Sequence, residues 1–408
     1  MNLYAKRREI LLKNLGQDSM AIVYSSDVEF EQGRFDINRN FYYLTGIDKE
    51  SMILVLLNRR GQLSEHLFIL PYDESQARWV GGRMLASEAS EVSDIKDIRD
   101  INTFDDFVNA VLNYGRTTNE FKVFFDLWTK ANGTSTLASI YADKLKNKYP
   151  AIEIKDLFYL MAKMRLVKDE YEVTCIKQAI AITKEGINSM LKSIKPGLSE
   201  MTMEGLFTFA LNQNLCNEYS FKTIAASGKR ATILHYSDNN QILNDGELFL
   251  QDLGATFKHY CADITRTYPV NGKFTDRQKE IYQIVLNAQK IVEQNARVGI
   301  TLKDLNNLVI SYYEQELPKH GLTKPVNEYY YHSVSHHLGL DCHDIDGGLG
   351  TILEAGNVIT NEPGLYIADE GIGIRIEDDL LITGTGAVNL SKDIIKEIKD
   401  IEKTIKLF

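Results

Sequence analysis

Residues 247–270 read ELFLQDLGATFKHYCADITRTYPV, and this stretch decides both the fold of its domain and the chemistry to look for. Two apolar runs of strand length, around Leu248 to Leu253 and Ile264 to Val270, flank a turn that contains Gly254. A hairpin centred between Phe257 and Lys258 would set Asp252 opposite Asp263, with both carboxylates on one side. Acids inside apolar strands are costly unless they are paired or hold a metal.

Two further stretches repeat the pattern. In NVITNEPGLYI (357–367) Glu362 keeps the strand phase of Val358 and Thr360, and in GIGIRIEDDLLIT (371–383) Arg375, Glu377 and Asp379 alternate with Ile374 and Ile376. Gathered in a dry site, such acids repel one another unless cations bridge them. Two divalent ions held by four carboxylates and an imidazole would resolve the conflict. Oxygen-rich ligation with one nitrogen suits Mn²⁺ best, with Co²⁺ or Zn²⁺ as alternatives. The imidazole has an obvious source, because four of the eight histidines, His332, His336, His337 and His343, fall in YYHSVSHHLGLDCHD (330–344). Serine after His332 excludes a zincin HExxH helix. The chain also lacks a phosphate loop, a GxSxG elbow and a GxGxxG turn.

Around this core the chain reads as two domains. Up to about residue 157, apolar runs such as SMILVLL and KVFFD alternate with helical stretches, an α/β rhythm. From 158 to 408 long helical patterns, one ending at Lys195-Pro196-Gly197, lead into strands with Gly-rich turns, an α+β texture. The terminal SKDIIKEIKDIEKTIKLF carries Ile394, Ile398, Ile401 and Ile405 as one apolar stripe, expected to pack on its own domain or on a sister subunit. With 46 basic and 56 acidic residues the net charge is −10 and there is no Lys/Arg block, so neither nucleic acid nor an anionic membrane is an expected partner. Charge interrupts the N-terminal apolar positions, as in an amphipathic helix rather than a signal peptide, and a cytoplasmic protein is expected. Cys175, Cys216, Cys261 and Cys342 form no CxxC pair and read as buried free thiols.

These residues resemble the ligand set of the pita-bread metallopeptidases, the family of methionine aminopeptidase, prolidase and aminopeptidase P. The likeness is carried by 247–270, 332–344, 361–367, 371–383 and SGKRATILHY (227–236). The resemblance implies His336 and Glu362 on one metal, Asp252 on the other, and Asp263 and Glu377 bridging both. It puts His235, His332 and His343 at substrate-binding histidine positions, Arg375 and Tyr366 beside them, and leaves His337 structural. Upstream, FDINRNFYYLTGIDKESMILVLL (35–57) and ARWVGGRM (77–84) are similar to the N-terminal domain of aminopeptidase P, and MRLVKDEYEVTCIKQAIAIT (164–183) to the helix that enters its catalytic domain. Trp79 of WVGGR would then reach the active site of a neighbouring subunit, implying a homodimer or a dimer of dimers. Ser333 departs from the family's usual glycine.

The resemblance thus implies an α/β N-terminal domain and an α+β pita-bread domain. The activity it implies is release of the N-terminal residue from peptides with proline second, by attack of a metal-activated hydroxide. Xaa-Pro dipeptidase is the nearest alternative, and a non-catalytic peptide-binding module, which would have lost ligands, the more distant one.

Overall fold

The computed structural model describes residues 2–28, 36–114, 121–127, 135–346 and 351–405. Phe35, at the start of the 35–57 segment, and the last three residues of the terminal segment 391–408 lie outside them. The chain divides into two compact units, Met1–Ala162 and Lys163–Phe408, five residues beyond the boundary expected from the sequence.

The N-terminal unit is built on a mixed sheet of β1 (Ser19–Tyr24), β2 (Ile53–Arg59), β3 (Gln62–Ile69), β4 (Asp97–Asp100), β5 (Lys122–Phe125) and β6 (Glu153–Asp156) in the order β4-β3-β2-β1-β5-β6. Residues Met20 to Val23 and Leu54 to Leu56 are fully buried, as befits central strands covered on both faces. On one face Ile22, Val55, Phe68, Val108, Val123 and Leu145 share a core. The α/β expectation for this unit holds. The helix Glu74–Val80, capped by Asp73, carries Trp79 with 88% of its surface exposed.

The second unit carries long helices, Glu170–Ser193, Glu200–Gln213, Asp276–Asn295 and Leu302–Glu316, and several short antiparallel ladders. One ladder joins β7 (Ile224–Ser227), β8 (Leu248–Leu253) and β11 (Ile264–Pro269), with β9 (Thr256–Phe257) and β10 (Tyr260–Cys261) at the tip of the β8–β11 hairpin. The hairpin turns at Lys258-His259, one residue later than the sequence suggested, so Asp252 pairs with Thr265 and not with Asp263. Both turn residues have positive φ, the geometry of a two-residue primed turn, but Lys-His lacks the Asn-Gly or Asp-Gly signature that announces one. Because the register moved by two positions in the pairing, Asp263 and Thr265 still share the face of Asp252. At Gly254 a Cβ would collide with the carbonyl oxygen of Ala262, so only glycine fits where the strands close over the site.

A second system is formed by β12 (Val358–Asn361), β13 (Gly364–Ile367), β14 (Ile372–Arg375), β15 (Asp378–Thr383) and β16 (Gly386–Asn389). Thr360 lies opposite Asp379 and Gly364 opposite Arg375, one continuous register. Between those pairs Glu362 must fall opposite Glu377, at a break where Pro363 has no N–H to give the ladder. Both glutamates therefore sit at the gap between strands and not inside a strand as their phase had implied. The C-terminal helix is confined to Ile398–Thr404, and Ile394, Ile401 and Ile405 are buried within this unit, Ile405 against Gly272. Among the described residues no helix is long and apolar enough to cross a membrane.

Candidate metal centre

The two strand systems bring their acids to one place. Hydrogen bonds tie them: the Glu377 N–H donates to the Thr265 carbonyl at 3.0 Å, and the Thr267 side-chain hydroxyl to the Arg375 carbonyl at 3.0 Å. Along the other edge of β12 runs the segment 334–338, through Leu338 N–H to Val358 O, Thr360 N–H to His336 O and Glu362 N–H to Val334 O. That pairing is what sets His336 beside Glu362.

The result is a cavity of about 630 Å³ lined by Asp252, Asp263, His336, Glu362 and Glu377, together with His235, His332, His343, Arg375 and Cys342. Ligand atoms of Asp263, His336 and Glu377 lie within 4.8 Å of one another. His336 Nε2 is 3.3 Å from Asp263 Oδ2 and 3.5 Å from Glu362 Oε1. Its Nδ1 lies 3.0 Å from the His337 carbonyl, which can only accept, so Nδ1 carries the hydrogen and Nε2 faces the acids. His337 is fully buried outside the cavity and contributes that carbonyl. Trp79 belongs to the N-terminal unit.

Electrostatically the cluster is under strain. Burial, with Asp263 and other acids nearby, pushes Glu362 up to about 7 and Asp252 up to about 6, against the opposing pull of His336 and Arg375 respectively. Burial and the charges of Asp263 and Glu362 push Glu377 well above the carboxylate range. His336 is raised to about 9, since Asp263 and Glu362 outweigh burial. Asp252 Oδ1 is buried without a hydrogen-bond partner among the described residues, although its Oδ2 accepts from Arg375 at 2.6 Å. Four clustered carboxylates, one orphaned oxygen and one imidazole aimed at them form a donor set that fits hard divalent cations.

A consequence can be measured. Where a carboxyl holds its proton more tightly folded than unfolded, the stabilisation is complete below the unfolded value, 4.5 for Glu362, and is lost as pH rises through about 7. The metal-free fold should therefore weaken toward pH 8, and cations replace the lost protons. At about 100 times its Kd one ion adds about 2.7 kcal/mol, or about 5–10 °C for a unit of this size. Thermal scans with and without Mn²⁺ should show a larger gain at pH 8 than at pH 6; an equal gain would contradict this assignment.

Beside the acids runs a directional chain of hydrogen bonds. Arg375 donates from Nη2 to Asp252 and from Nη1 to the Tyr366 hydroxyl at 2.8 Å. That hydroxyl donates to His332 Nε2 at 2.9 Å, and His332 Nδ1 to the Ser333 carbonyl at 2.9 Å. Burial and Arg375 lower His332 to about 3, which keeps it neutral. Burial and the nearby His336 lower His343 as well.

Sequence reasoning passed over several groups here. Thr265 bonds both Glu377, at 2.6 Å, and Arg375 Nε, at 3.1 Å; its place two residues after Asp263 in one strand was the available signal. Asp344, next to His343, is held by Arg165 at 2.5 Å and Lys168 at 3.0 Å, a buried anchor for the histidine loop. Cys342, read as a buried thiol like the other three, is half-buried in the cavity wall, its Sγ 2.9 Å from Asp263 Oδ2.

Comparison with known proteins gives the site a setting. Residues 174–384 match the model of Metallopeptidase family M24, and residues 4–120 that of the Aminopeptidase P, N-terminal domain. The chain is 32% identical to the Xaa-Pro aminopeptidase of Haemophilus influenzae, over 95% of this chain and 93% of that one. It is 35% identical to the Xaa-Pro dipeptidase of Pyrococcus horikoshii, over 63% of this chain and 72% of the relative. The solved structure of aminopeptidase P from Escherichia coli in its low pH form superposes with a TM-score of 0.90 at 29% identity, covering 99% and 97% of the two chains.

Proposed function

The chain belongs to metallopeptidase family M24, with an α/β aminopeptidase P-type N-terminal domain and a pita-bread catalytic domain, and from that premise we propose that it is a dimetal Xaa-Pro aminopeptidase. Families of this kind bind divalent metal and act on peptides. The observation that carries the finer reading is the facing of Glu362 and Glu377 across the broken ladder, with Asp252, Asp263 and His336 in the same cavity. His336 and Glu362 would hold one ion, Asp252 the other, and Asp263 and Glu377 both. Bound there, two divalent ions, with Mn²⁺ favoured by the donor set, supply Lewis-acid polarisation of the scissile carbonyl and lower the pKa of water.

The residues around them do the rest. Glu362, in the cavity beside His336 and Asp263, accepts the proton from the attacking water and passes it toward the departing proline nitrogen. His343, neutral, offers an N–H to the developing oxyanion. His332 has both ring nitrogens engaged, so it orients the substrate rather than shuttling protons. Arg375 fixes both Asp252 and Tyr366, and His235 lines the same cavity. The Xaa-Pro amide has no N–H, which defeats enzymes that grip the backbone there, whereas this arrangement works on the carbonyl and the free amine. The exposed Trp79 supports assembly with a second copy as a homodimer or dimer of dimers.

Two measurements follow. Purified protein reconstituted with Mn²⁺ should release alanine from Ala-Pro-Ala at least as fast as from Ala-Pro, and about 100-fold faster than from Ala-Ala-Ala; turnover of Ala-Pro alone would favour the dipeptidase. Tyr366→Phe breaks the link between Arg375 and His332, two hydrogen bonds of about 1 kcal/mol each, and should lower kcat/KM about tenfold or more while metal content stays intact. An unchanged kcat/KM would remove Tyr366 from the chain of positioning contacts.

A further inference from the structure

The cavity contains a second set of donors of different chemical character. Ligand atoms of His336, Cys342 and His343 lie within 4.8 Å of one another, as close as the carboxylate-bearing group that includes His336. The two imidazole rings are 4.1 Å apart between centroids. Cys342 is half-buried on the cavity wall, and its Sγ sits 2.9 Å from Asp263 Oδ2, within reach of a fourth donor. One thiolate and two imidazoles suit a soft, tetrahedral ion such as Zn²⁺ or Cd²⁺, and suit Mn²⁺ poorly.

We propose that His336, Cys342 and His343 form a soft-metal site that overlaps the dimetal centre and competes with it. The inference rests on the dimetal reading above, because it takes its consequence from the sharing of His336. Binding releases the thiol proton to solvent and replaces the Sγ–H to Asp263 contact by a metal–sulfur bond. An ion seated there draws His336 away from the carboxylates and occupies His343, the proposed oxyanion donor. Soft ions would therefore inhibit by capturing two residues of the machinery, not by standing in for Mn²⁺.

Titration of the metal-free full-length protein with Cd²⁺ tests this directly. One equivalent should produce the ultraviolet sulfur-to-cadmium charge-transfer band, which Cys342→Ser abolishes, His343→Ala weakens at least about tenfold in affinity, and Cys175→Ser leaves in place. Preloading with Mn²⁺ should raise the Cd²⁺ concentration required. In case Cys342→Ser does not fold, the ¹¹³Cd resonance of the unaltered protein must lie in the range of one-sulfur coordination. No band in the unaltered protein, an equal band in Cys342→Ser, an all-oxygen ¹¹³Cd shift, or Cd²⁺ affinity indifferent to Mn²⁺ would each overturn the proposal. Failure of the dimetal reading has a separate signature: Mn²⁺ binding, followed by loss of the free-ion electron paramagnetic signal, would be the same in Glu377→Ala as in the unaltered protein.

Discussion

Replacing Glu377 with alanine is expected to strip the protein of its divalent metal and to lower turnover by about 10⁴-fold or more. Its carboxylate is buried, accepts a hydrogen bond from Thr265 Oγ1 at 2.6 Å, and shares a cluster within 4.8 Å with Asp263 and His336. In the proposed arrangement it bridges both ions, so its loss removes a donor from each. The rate estimate is the product of a proton-transfer contribution of about 10²–10⁴ and an electrostatic one of about 10²–10³. Misfolding is separable from loss of the site. Without metal, burial and the charges of Asp263, Glu362 and Asp252 all oppose an ionised Glu377, so removing it should leave the metal-free protein at least as resistant to heat as before at pH 8. The decisive pair of measurements is elemental metal analysis and kcat/KM on Ala-Pro-Ala after chelation and return of Mn²⁺. Full metal content with turnover within tenfold of normal would end the bridging assignment.

Much of this cluster was legible because strand phase has a period of two. Asp252 and Asp263 were placed on one face from alternation alone, and that placement survived a misjudged turn, since a hairpin shifted by one residue at its centre keeps every side chain on its face. What alternation does not give is the partner across the ladder. Lys258-His259 adopts positive φ without glycine or asparagine, and the strands around it hold it there. The meeting of Glu362 with Glu377 depends on one register spanning β12–β15 and β13–β14, a long-range pairing invisible in either stretch by itself. Cys342 was misread for a related reason. Its neighbours in sequence, Asp341 and His343 with Leu340 and Asp344 beyond them, do not show that it lines the cavity, whereas its contact with Asp263 joins residues 79 positions apart. Spacing within a segment carried the ligand types; contacts between segments decided their geometry.

Glu362 invites a subtler substitution, since it is asked to bind metal and to accept a proton. In Glu362→Gln the side chain keeps its shape and an oxygen able to accept from the Thr360 hydroxyl, now 3.2 Å from Oε1. It also stays beside His332 Nδ1, 3.7 Å from Oε2, so the cavity wall is preserved. What goes is a negative charge and a carboxylate that can take up a proton, one that the cavity already holds above the usual carboxylate range. General-base loss costs about 10²–10⁴ in rate, so kcat should fall by that factor while KM for Ala-Pro-Ala changes little. The ion held chiefly by Asp252, Asp263 and Glu377 should remain. The two roles then part on adding metal. If excess Mn²⁺ restores kcat, Glu362 is a ligand only; if the site fills and kcat stays low, the missing function is proton acceptance, because the amide nitrogen and oxygen that replace the carboxylate are too weakly basic to take the proton that the departing proline nitrogen must later receive.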